Sequence, residues 1–208
     1  MTYSLTSEKK AREFAEEQPL IQVAMPMSED HSTMRTSLIP HLLDVVTYNL
    51  NRKNENVHIY EIGSIYSADE VPLKALPKER EMVAGALTGL VVDHAWQGEK
   101  KAVDFFVVKG ILEQLFIDLG VANAISFERG NRRYLHPGRT AVVKLAGREI
   151  GVIGQIHPLY AKEHDLRETY VFELDLHALL EYEVEPVIYE QLPRFPSIVR
   201  DIALVVDK

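Results

Sequence analysis

Three histidines invite a metal or hydrolytic reading: His136, His157 and His164 sit among Glu163, Asp165 and Glu173. With no cysteine in the chain, zinc could be held only by imidazole and carboxylate. The spacing fits neither H-E-x-x-H nor a histidine pair at i, i+4 on one helix face. Two of the three are His-Pro, and a residue before proline is held extended, which suits a turn-former as well as a ligand. A metal-dependent hydrolase using His136, His157 and Asp165 is the alternative that the residues leave open.

A second candidate is "MPMSEDHSTMRTSLIPHLL", residues 25–43, which crowds Ser, Asp, His and Arg together before an apolar helix. It contains no G-x-S-x-G elbow, and Ser28, Ser32 and Ser37 explain themselves as turn and cap residues. Neither G-x-x-x-x-G-K-[ST] nor G-x-G-x-x-G occurs, so no phosphate loop is encoded. The glycines of "GREIGVIG" read as a hairpin turn feeding a strand. For nucleic acid, the candidates are Arg129, Arg132 and Arg133 beside Tyr134, and Arg194 with Arg200. Against them stands a net charge of −8, from 31 acidic and 23 basic residues, where phosphate neutralisation needs a basic field.

The elements that must carry these residues follow from periodicity. Ser7 caps a short helix over 7–17 with Ala11, Phe14 and Ala15 on one face. "PLIQVAMP" reads as a short strand. A helix over 37–53 has Ser37 or Thr36 at its start, Pro40 in its first turn, and a buried stripe of Ile39, Leu42, Leu43, Val46 and Leu50. Arg52 and Lys53 close it at the negative end of its dipole. "NVHIYEIGSIYS" is the clearest strand, with Ile59, Glu61 and Gly63 alternating against Tyr60, Ile62 and Ser64. A polar loop over 67–81 precedes "MVAGALTGLVV", whose two glycines mark close backbone or helix approach.

"DFFVVKGILEQLFIDLG" is a helix capped by Asp104, striped by Phe105, Val108, Leu112, Leu115 and Leu119, and ended by Gly120. Strands follow at 123–128, 139–145, 149–156 and 170–174, with brief helices in "HPLYAKEHDL" and "LHALLEY". This order predicts an α+β domain: a mostly antiparallel sheet with helices on one side. From Leu192 the two prolines and "RDIALVVDK" read as a linker and the first strand of another domain.

Composition is that of a globular protein, 46% apolar and 26% charged over 208 residues. No apolar run approaches the roughly 20 residues that span a bilayer. The opening "MTYSLTSEKKAREF" lacks the apolar stretch of a signal peptide. No membrane partner and a reducing, cytoplasmic setting are expected.

Several stretches are more than generic. "MPMSEDHSTMRTSLIPHLLDVVTYNLNRK", "VHIYEIGSIY", "DFFVVKGILEQLF", "YLHPGRTAVV" and "IGVIGQIHPLYAKEHDL" resemble, in order, the β subunit of bacterial phenylalanyl-tRNA synthetase. "LPRFPSIVRDIALVV" is similar to the opening of that subunit's ferredoxin-like anticodon-binding domain. The resemblance implies a fragment of a longer subunit: a synthetase-like core over 1–190, then a linker and the first strand of a truncated domain over 191–208. The implied fold is a non-catalytic copy of the class II aminoacyl-tRNA synthetase sheet, antiparallel and flanked by helices.

Class II chemistry needs an arginine on the second motif strand for the α-phosphate and another in G-x-G-x-x-R for the γ-phosphate. "HIYEIG" has no arginine before Glu61, and G-x-G-x-x-R is absent from the sequence. No catalytic, cofactor or metal residue is therefore assigned; ATP and magnesium belong to the whole heterotetrameric enzyme. The implied partner is the α subunit, with tRNA(Phe) bound by the whole enzyme and weakly or not at all by the fragment. Self-association through an apolar surface left open is a further expectation.

By the same resemblance, residues 25–43 correspond to a dimer-interface region beside the active site. Met34, Arg35, Leu38, Leu42 and Leu43 are then interface and helix-positioning residues, and Arg35→Ala is expected to weaken association while leaving melting nearly unchanged.

Overall fold

The computed structural model describes residues 2–15, 18–94, 96–184, 189, 195–196 and 198–205. Six strands form one antiparallel sheet: β3 (Val57–Ser67), β4 (Lys78–Thr88), β7 (Ile125–Arg129), β8 (Leu135–Leu145), β9 (Arg148–Ile156) and β10 (Thr169–Asp175), in the order β3-β4-β10-β9-β8-β7. The order places β4 and β10 inside the sheet, in register from Thr169 opposite Thr88 to Asp175 opposite Met82. Both strands are buried along both faces in this stretch. That is why "MVAGALT" and "TYVFELD" are apolar almost without alternation. Gly85 leaves room for a ring: a Cβ there would lie 2.4 Å from Cε1 of Phe172.

Helices cover both faces, which corrects the expectation of helices on one side. Helix α1 (Glu8–Phe14) and α2 (Ile39–Leu50) share a core with Met82, Ala84, Ala86, Val152 and Val171. On the other face α3 (Phe105–Asp118) and α5 (Leu176–Leu180) pack over Val83, Leu87, Ile153, Tyr170, Phe172 and Leu174. Alternating residues of the same strands thus feed two cores. Periodicity marks which residues are apolar, but not to which face each connection carries its helix. A short α4 (Pro158–Glu163) follows β9.

Helix starts agree with cap chemistry: Ser7 accepts from the Lys10 amide, and Asp104 from that of Val107 at 2.7 Å. The α2 stripe is buried at Ile39, Leu42, Leu43 and Val46 and half-buried at Leu50. Past the α2 end, Arg52 donates to the Tyr48 carbonyl at 3.2 Å and lies over the Tyr48 ring.

Other expectations shift. The "PLIQVAMP" stretch is no strand; it makes one bridge, Gln22 to Thr33. The short pair is instead β1 (Leu5–Thr6) with β2 (Thr33–Met34), held by backbone bonds that two-residue strands do not advertise in sequence. A hairpin of β5 (Leu90–His94) and β6 (Glu99–Ala102) stands outside the main sheet. Residues 198–205 carry no strand, and Ile202 and Leu204 are exposed. Leu192, Pro193 and Val206 lie outside the described residues.

Candidate functional site

Residues 33–39 run from the small β1–β2 pair into α2 and cross the edge of the main sheet. Two buried carboxylates meet them there. On β3, Glu61 falls on the same alternation as Val57, Ile59 and Ile65, which is the core side of the strand. A charge placed there must be matched. Arg35, 4% exposed, supplies the match: its Nη1 reaches Glu61 Oε1 at 3.3 Å and the Thr2 hydroxyl at 2.8 Å. Its Nε donates to the Ser64 carbonyl at 2.8 Å, and the Tyr66 amide donates to the Arg35 carbonyl at 2.9 Å. Gly63 is needed beneath the guanidinium, because a Cβ there would lie 2.6 Å from Arg35 Nη2.

Burial pushes the Glu61 carboxyl up, but the Thr2 amide and hydroxyl donors and the Arg35 charge outweigh it. The net effect holds Glu61 below its ordinary value.

On β10, Glu173 is also buried, and it accepts from the Leu38 amide at 2.6 Å and the Ser37 hydroxyl at 3.1 Å. The Ser37 oxygen in turn accepts from the Ile39 amide at 3.1 Å. The start of α2 is thus satisfied by one serine and one carboxylate from a distant strand. Burial raises the Glu173 carboxyl to about 7, against the pull of these donors and of the Arg80 and Arg35 charges. The expectation of a cap by Ser37 or Thr36 holds for Ser37; the Thr36 hydroxyl is buried without a partner among the described residues.

Beside Glu173 lies a groove of about 190 Å³, rimmed by Arg80, Arg132 and Arg148 with Glu149 and Asp175, over Phe14, Met82 and Val152. Arg132 pairs with Glu149, so this arginine cluster is partly neutralised. Arg194 lies outside the described residues.

Four of the five expected interface residues are spent inside the chain. Leu38, Leu42 and Leu43 are at most 3% exposed and Arg35 is at 4%, while Met34 is half-buried. Their side chains pack and pair within the chain around the start of α2. Arg35 neutralises a buried acid, so a loss of stability on Arg35→Ala is expected in place of the unchanged melting first expected.

The histidines serve as turn-formers. His136 Nδ1 accepts from the Gly138 amide at 3.0 Å, and His157 Nδ1 accepts from the Leu159 amide at 3.2 Å to cap α4. His164 stacks on Tyr160, and Asp165 is an exposed residue with φ of 52°. Among the described residues no three His, Asp or Glu side chains gather as a metal site. The hydrolase alternative using His136, His157 and Asp165 is not supported. The Arg35–Glu61 and Ser37–Glu173 pairings escaped sequence reasoning. An acid on the apolar side of each strand was the available signal.

A family model, "Phenylalanyl tRNA synthetase beta chain CLM domain", matches residues 1–176. The phenylalanine–tRNA ligase beta subunit of Halalkalibacterium halodurans is 61% identical over 211 residues, covering 100% of this chain and 26% of the relative. That of Bacillus subtilis is 56% identical over 209 residues, with 100% and 26% covered. The chain therefore spans 26% of the length of these curated relatives. A solved pyrrolysyl tRNA synthetase from Desulfitobacterium hafniense aligns with a TM-score of 0.57 at 15% identity, over 86% of this chain and 60% of that one. This likeness shows the fold, a class II synthetase-like antiparallel sheet flanked by helices. With the family model matched over residues 1–176, the chain belongs to the phenylalanine–tRNA ligase beta-subunit family.

Proposed function

We propose that this chain is the non-catalytic, synthetase-like core of a phenylalanine–tRNA ligase beta subunit, which supports the α subunit during ATP-dependent charging of tRNA(Phe). The observation that carries the reading is 56–61% identity to such subunits along the whole chain. One feature supports the lack of catalysis: the class II phosphate-gripping arginines are missing from the sequence.

In this reading residues 1–190 are the core and 191–208 lead into an anticodon-binding domain. ATP, magnesium and tRNA engage the whole cytoplasmic heterotetramer. The segment 33–39 then acts as a strut that fixes α2 for the α-subunit interface, with Arg35, Leu38, Leu42 and Leu43 acting from inside and Met34 nearest the surface. Among the described residues no helix is long and apolar enough to cross a membrane.

Phenylalanine-dependent pyrophosphate exchange tests the reading. The chain alone is expected to give background rates. Exchange by the purified chain, in a preparation free of host synthetase, would overturn it.

A further inference from the structure

The main sheet has two edges, and they are built differently. At one, β7 has only five residues, its Glu128 pairs with Lys144, and Lys109 of α3 lies 4.7 Å from the Phe127 ring centre. Short length and charged side chains are how proteins blunt a sheet edge. At the other, β3 runs for 11 residues, pairs with β4 without a register break, and holds no lysine or proline. Its one acid, Glu61, pairs with Arg35.

One end of the β3 edge is already paired. The Tyr66 amide donates to the Arg35 carbonyl at 2.9 Å, and the Ser64 carbonyl accepts from Arg35 Nε at 2.8 Å. Backbone groups alternate sides along an antiparallel strand, so those of His58, Tyr60 and Ile62 point outward too, about 6.8 Å apart. Among the described residues nothing pairs with them.

These three residues also border an apolar groove of about 500 Å³. Ile111 and Leu115 of α3 and Leu176 and Leu179 of α5 wall it, beside Phe172. Tyr60 is 74% and Ile62 44% exposed. Open edge and groove therefore lie side by side.

That combination selects its occupant. A row of free amides and carbonyls at two-residue spacing matches the backbone of an extended peptide, whose alternate side chains then enter the groove. A small apolar molecule would leave the row unpaired, and a helix has its own backbone groups already bonded. The chain's tail does not supply the strand: Ile198, Val199, Ile202 and Leu204 are 79–87% exposed and in no strand.

We propose that His58–Ile62 on β3 is a docking edge for an extended strand of a partner protein, whose alternating apolar residues fill the groove between α3 and α5. This goes beyond the α-subunit reading and does not depend on it.

Amide-resolved NMR tests it. The probe is a peptide of alternating threonine and valine with a lysine at each end. It should shift the amides of His58, Tyr60 and Ile62 and saturate in the millimolar range. The same peptide N-methylated at its valines, which lose their donors towards β3, should not. Tyr60→Pro removes an outward donor that has no place in the β3–β4 ladder, and edge strands tolerate proline there. Ile62→Lys puts a charge at the mouth of the groove. Each variant should weaken peptide binding about tenfold, the loss of roughly one hydrogen bond or apolar contact, with little change in melting. No saturable shift at millimolar peptide overturns the proposal, as does binding that both variants leave unchanged. Slow hydrogen exchange at these amides without peptide also overturns it. Slowing that grows with chain concentration would make a second copy the occupant, and slowing lost on removing residues 197–208 would make it the tail.

Discussion

Glu61 and Glu173 are the same side chain, 6% and 8% exposed, on β3 and β10 of one sheet and both facing the segment that leads into α2. They end in opposite states. Glu61 has a guanidinium 3.3 Å away and the Thr2 donors, and it is held ionised. Glu173 has two neutral donors, with Arg80 and Arg35 acting only through space, and it titrates near 7. Burial penalises both carboxylates, so the partner decides the outcome. One anchor of the strut is an ion pair; the other is a hydrogen-bonded carboxyl that takes up a proton in the neutral range.

Breaking the ion pair should cost most. Arg35→Ala leaves Glu61 buried and unpaired and removes the bond to Ser64, for an expected loss of about 3–5 kcal/mol. Urea unfolding at pH 7 measures it, and a loss below ~1 kcal/mol would refute a structural role for the pair. The Glu61 contribution is present above the unfolded carboxyl value and lost as pH falls through the lowered folded one.

Glu173 carries the opposite sign. Its folded value, about 7, lies above the ordinary 4.5. Its favourable contribution is therefore complete below the unfolded value and lost as pH rises towards 7, a difference of about 3 kcal/mol. Glu173→Gln keeps an acceptor for Leu38 and Ser37 and carries no charge. At pH 8 it should be the more stable protein, with the advantage shrinking towards pH 5. Parallel stability–pH curves for mutant and parent would show that Glu173 is not the titrating group.

The smallest effect belongs to Ser37→Ala. The Leu38 amide keeps its carboxylate, and only the Ser37 bonds to Glu173 and the Ile39 amide are lost, about 1 kcal/mol. Thermal melts resolve this. A loss as large as that of Arg35→Ala would mean the β10 anchor is the stronger one.

Much of the local structure was legible. Helix stripes such as Ile39, Leu42, Leu43 and Val46 announce their period, Asp104 and Ser7 announce caps, and the apolar run "MVAGAL" announces the strand β4. The candidate site was legible only in part. Arg35 and Ser37 stood out among crowded polar residues, but they read as an interface contact and a local cap. The two-residue strands β1 and β2 and the hairpin strand β6 were too short or too polar to declare themselves.

Sequence by itself determined the class of the fold, the order of the main-sheet strands and of the helices from α2 onward, and its kinship, because these rest on patterns within ten or twenty residues and on the ordered stretches shared with relatives. Tertiary structure alone decided that α2 and α3 cover opposite faces, that Arg35 meets an acid 26 positions away and that Ser37 meets one 136 positions away. Desolvation and pairing depend on what folding brings within a few ångströms of a group. The chemistry of Glu61 and Glu173 therefore exists only once the sheet has closed around them.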